Sequence, residues 1–132
     1  MSLLYKDLEG NYSNIAGSSA SVKDVYSTSE TLTNKVWTDG KPIYRNVIID
    51  NAITKGTQKN IDLSALNIGS YVSINGYIDT GHYQIPINTY RSDVCTMVLG
   101  YNQQGELIVF VDGSLVTSTS TLVAIIEYTK SS

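Results

Sequence analysis

An all-β chain, folded as an antiparallel β-sandwich of jelly-roll-like form, is what this sequence predicts, on three observations. Short runs rich in β-branched and aromatic residues recur along it, separated by turn dipeptides such as Asp39-Gly40 and Asp112-Gly113. Several runs alternate apolar and polar residues with a period of two, the signature of a half-buried strand. No stretch carries a convincing 3.6-residue apolar period, which an amphipathic helix would need. The length of 132 residues fits one domain, large enough for a core without covalent staples.

Taken in order, residues 1–25 mix Gly, Ser, Asn and Ala with few apolar anchors. They bury little against their ordering entropy and read as an N-terminal linker or arm, which leaves residues 26–132 for the sandwich. Asn11-Tyr12-Ser13 matches a glycosylation acceptor by chance, since no secretion signal opens the chain. Asp39-Gly40 then makes a turn, because glycine reaches positive φ freely and the aspartate caps its own backbone. Its arms are Val36-Trp37 and the run from Ile43 to Ile49. Pro42 lacks an N–H for a ladder and belongs at the start of the second arm, while Trp37 beside the turn is expected to plug the core. Residues 54–60 form a polar loop, and Ile61 to Leu66 is too short for its period to separate a helical turn from an irregular strand.

From Tyr71 the alternation places Val72, Ile74 and Ile78 with Gly76 on one face, and Tyr71, Ser73, Asn75, Tyr77 and Asp79 on the other. Asp79 to His82 reads as a turn, and Tyr83 to Ile87 as a strand held to an edge by Pro86. Strands over 93–100 and 106–112 join across the hairpin loop Tyr101 to Gly105. In the latter, Leu107, Val109 and Val111 oppose Ile108 and Phe110. In the last strand, 121–129, Leu122, Ala124 and Ile126 oppose Val123 and Ile125. Strands apolar on both faces imply cover on both, by a second sheet on one side and a partner subunit or loop on the other.

The segment Tyr26-Ser27-Thr28-x-Glu30, followed by Trp37-x-Asp39-Gly40-Lys41-Pro42-Ile43-Tyr44-Arg45, resembles one that recurs in bacteriophage and prophage virion appendage proteins: tail-fibre, baseplate and head-fibre domains. Val123 to Lys130 looks like the closing strand of the same domains, and Val72 to Ile78 with Ile85-Pro86-Ile87 is a weaker third likeness. Order and spacing agree over roughly residues 24 to 130. The resemblance implies a loop that turns Ile61, Leu63 and Leu66 inward, a location in the virion after synthesis in the bacterial cytoplasm, other virion proteins as partners, and a homotrimer, since such domains commonly assemble in threes.

Chemistry is sparse. The net charge is −3 and the nine basic residues are scattered, so nucleic acid is not expected as a partner. No run is long and apolar enough to enter a membrane. Cys95, the single cysteine, is expected as a small buried hydrophobe. The lone histidine, His82, lacks a nucleophile motif, and Cys/His spacing for zinc, a calcium loop and a phosphate-cradling loop are all missing. No catalytic residue, metal or cofactor is expected. Glu106, Asp112, Glu127, Asp79 and Asp93 are the acids available for glycoside hydrolysis, with solvated or paired roles favoured.

What remains is tyrosine, present ten times against one Trp and one Phe. Tyrosine offers flat area at low entropic cost plus a hydroxyl. Tyr77, His82, Tyr83, Tyr90 and Tyr101 are therefore the candidate ligand-binding residues, with Tyr71, Asn88 and Asn102 nearby in sequence. The expected function is a non-enzymatic virion appendage domain that contributes to host cell-surface recognition, possible ligands including a surface glycan. A purely structural trimerising or capping domain is the first alternative, and a small polysaccharide-degrading or esterase domain the second.

Overall fold

A computed structural model describes residues 24–131. Nine strands and one short 3-10 turn make up the ordered elements among the described residues: β1 (Thr31–Val36), β2 (Pro42–Thr54), β3 (Lys59–Asp62), the turn Ser64–Leu66, β4 (Ile68–Asp79), β5 (Gln84–Pro86), β6 (Tyr90–Arg91), β7 (Val94–Tyr101), β8 (Glu106–Asp112) and β9 (Thr119–Lys130). They form two antiparallel sheets, ordered β1-β2-β9-β4-β5 and β3-β8-β7-β6. The chain is an all-β sandwich. Early and late strands lie side by side in both layers, β2 with β9 and β3 with β8, the nested pairing that gives a jelly roll its character.

The core lies between the sheets. Leu107, Val109 and Val111 from β8 face Leu122, Ala124 and Ile126 from β9, and Ile53, Ile78, Ile85, Val94 and Val98 complete the layer. The period-two reading of β8 and β9 is thus the arrangement found, each buried aliphatic side chain contributing about 1.5–3 kcal/mol. Leu63 is buried, with Ile61 and Leu66 packed beside it, and Pro42 and Pro86 occupy the strand start and the sheet edge expected of them. Asp50 on β2 meets Lys59 on β3 at 2.7 Å, bridging the two sheets. The expected arm falls outside the described residues except for Asp24 and Val25, which contact Arg45.

Three expectations are corrected. Trp37 is exposed, not a core plug: β1 is the edge strand of its sheet, Val36 beside it is exposed too, and Trp37 serves the turn through its backbone, with Trp37 N–H donating to Lys41 C=O and Gly40 N–H to Trp37 C=O, both at 2.9 Å. Tyr71 faces the core. Pairing runs Ser73 with Glu127 and then Tyr71 with Tyr128, so Val72 is an extra residue in a bulge that reverses the strand's faces. The Tyr71 ring lies against Gly100, where even a β-carbon would come within 2.5 Å of it, and its hydroxyl donates to Glu106 C=O at 3.2 Å. Cys95 is only partly buried, because the inward positions of β7 belong to Val94, Thr96 and Val98 and Cys95 points outward.

Candidate interaction surfaces

Two surfaces stand out, a cleft and a sheet face. The cleft, of about 400 Å³, opens between the edge strand β5 and β6 and is lined by Tyr83, Gln84, Thr89, Arg91, Asp93 and Leu115 among others. Its wall begins in the turn after β4. Asp79 Oδ1 accepts the N–H of Gly81 at 2.8 Å, while Thr80 Oγ1 accepts that of Tyr83 at 3.1 Å, and Thr80 N–H donates to Tyr83 C=O at 2.9 Å. Thr80 itself is buried, so this short turn is anchored and holds His82 and Tyr83 outward. The opposite wall carries a fork: Arg91 Nε and Nη2 donate to Asp93 Oδ1 and Oδ2 at 2.9 and 2.7 Å. The hydrogen bonds from Arg91 hold the Asp93 carboxyl below the usual carboxylate range.

Buried Thr96 ties the two walls together. Its hydroxyl donates to Pro86 C=O at 2.8 Å and accepts from Thr89 N–H at 3.0 Å, while Thr89 Oγ1 also reaches Pro86 C=O at 2.6 Å. A polar residue at an inward position of an otherwise aliphatic strand is the sequence signal for this tie, which the reading of residues 93–100 passed over.

The second surface is the outward side of the four-stranded sheet. Cys95, Met97, Leu99 and Tyr101 point outward along β7, Ile108 and Phe110 along β8, and Tyr90 from β6. Rows pair Tyr90 with Cys95, Met97 with Phe110 and Leu99 with Ile108. The charged outward residues of β8, Glu106 and Asp112, stand at its two ends.

The five tyrosine and histidine candidates therefore do not form one site. His82 and Tyr83 belong to the cleft turn. Tyr90 and Tyr101 share the outward face of the four-stranded sheet but stand at opposite ends of β7. Tyr77 lies on the outward face of the other sheet, in a row Ile49-Val123-Tyr77-Pro86. Asn88 is structural: it has positive φ and its Oδ1 accepts the Val98 N–H at 3.0 Å.

The candidate acids all have local partners. Glu127 binds Arg45 at 2.5 Å, Glu106 accepts from Asn60 at 3.2 Å, Asp112 caps Gly113 N–H at 2.8 Å, Asp79 caps Gly81 and Asp93 pairs with Arg91. Among the described residues, no three His, Cys, Asp or Glu side chains gather as a metal site would need. Among the described residues, no helix is long and apolar enough to cross a membrane. Comparison with family models, with curated proteins and with solved structures finds no match to this chain.

Proposed function

We propose that this chain is a non-enzymatic domain of a phage or prophage virion appendage, assembled as a homotrimer beside other virion proteins, and that it contacts the host cell surface. Two things support the class: the appendage-like segments at 26–45 and 123–130, and the antiparallel sandwich they belong to. The observation that carries the contact role is the cleft. There a half-exposed tyrosine ring on an anchored turn stands across from an arginine–carboxylate fork. An aromatic face stacks on the apolar side of a sugar ring, while the fork, Gln84 and Thr89 offer donors and acceptors to hydroxyls.

The test is an array of bacterial cell-wall and capsular polysaccharides probed with the whole protein. Retention of a discrete set of polysaccharides is expected, without release of reducing ends or acetate. Silence across the array would favour the purely structural reading, and release of reducing ends or acetate would favour a degrading enzyme.

A further inference from the structure

We infer that the outward face of the four-stranded sheet is where copies of this chain meet, an inference that rests on the homotrimer reading and names its interface. A sandwich that stood alone in water would alternate apolar inward with polar outward along each strand. β7 does the reverse of this on its outward side, where Cys95, Met97, Leu99 and Tyr101 follow one another without a charge. Tyr90, Met97, Leu99 and Tyr101 are 84, 41, 49 and 38 % exposed. Side chains of this size, with half-buried Ile108 and Phe110, give on the order of 500 Å² of mostly apolar surface, the upper range for a monomer's largest patch and well towards the roughly 800 Å² per partner of a standard interface.

The occupant that fits is a second copy. The pair Met97 with Phe110 holds no polar side chain, and in the next row, Leu99 with Ile108, the one polar neighbour is Asn60 on the edge strand, whose amide is already bonded to Glu106 and Gln58. An identical face brings no charge to the centre, although the chain carries a net −3, and its acids Glu106 and Asp112 remain at the rim in water. Three such faces turned towards one axis would bury the apolar rows in a closed assembly.

Light scattering on the full chain, with Leu99→Glu and Met97→Lys as variants and circular dichroism to verify the β-fold, tests this. The expected result is a mass of three 14.4 kDa chains for the parent. Each folded variant should be a monomer at micromolar concentration, its assembly weakened about a hundredfold or more. Cys95 supplies a readout that needs no variant: lying in the face, it should react with a thiol reagent more slowly as the protein is concentrated. Unchanged assembly in both variants, or Cys95 reactivity indifferent to concentration in an assembled parent, would overturn the interface while leaving assembly standing. A monomeric parent would overturn both. A dimer lost in the variants would support the interface and overturn the threefold count.

Discussion

Gly76 interrupts an apolar strand face, and its reason is a neighbour. It has φ +134°, and a β-carbon built there would lie 2.0 Å from Val123 C=O on β9. Gly76→Ala therefore meets both a disfavoured backbone and a clash with main chain that cannot swing aside. We expect a loss of about 2–4 kcal/mol in chemical denaturation, well beyond the usual strand glycine-to-alanine change. Tyrosine chemistry gives a second expectation. Burial raises the Tyr71 phenol from 10.0 to about 12. Burial first, and then its hydrogen bond to Glu30, also raises Tyr128. The folded state keeps protons that the unfolded chain releases, so this contribution is complete below pH 10 and is lost as pH rises towards 12 and beyond. Tyrosinate absorbance and unfolding should rise together in that window, and Tyr71→Phe should flatten the dependence. The presence of these tyrosines was plain in the sequence, but the inward turn of Tyr71 was not, because a one-residue bulge moves a side chain to the other face without altering the local composition.

β2 and β9 are joined by more than their ladder. Buried Arg45 on β2 binds Glu127 on β9 through Nε at 2.9 Å and Nη2 at 2.5 Å, bonds Asp24 and Val25 C=O, and stacks over the Tyr26 ring at 4.4 Å. Burial opposes its charge, yet the bonds to Asp24 and Glu127 more than offset that and raise the guanidinium's proton affinity. Removing Glu127 leaves buried Arg45 with only the exposed carboxylate of Asp24 as a counter-charge, so Glu127→Ala should cost about 3 kcal/mol in denaturant unfolding, the low end for a broken buried pair. The replacement Glu127→Gln, which keeps a carbonyl acceptor, should cost less. Strand existence was legible where β-branched residues alternate, and β8 matches its predicted bounds at 106 and 112. β1 and β3 were not foreseen at their full extent, since edge strands bury few side chains and so carry little periodic signal. Trp37 and Cys95 were misplaced for a related reason: residue type favours burial, but sheet edge and strand parity decide it.

At the scale of the molecule, the two surfaces divide the work proposed for the chain. In that proposal the apolar sheet face would join copies, and the cleft at the β5–β6 edge would meet the ligand. The sandwich was readable from its turn punctuation and its bifacial strands. The cleft was not, because Tyr83, Arg91 and Thr96 come together only when β5 and β6 meet across the two sheets. Of the five candidate residues only His82 and Tyr83 lie in its turn, and composition alone grouped them with Tyr77, Tyr90 and Tyr101, which point elsewhere. Substituting Tyr83 removes the ring but leaves the anchoring bonds of the turn, which are made by its backbone and by Thr80 and Asp79. The most direct measurement is the affinity of the parent and of Tyr83→Ala for a polysaccharide retained on the array. The account predicts a loss of about tenfold or more at unchanged mass and stability. Equal affinity in the two proteins would contradict it.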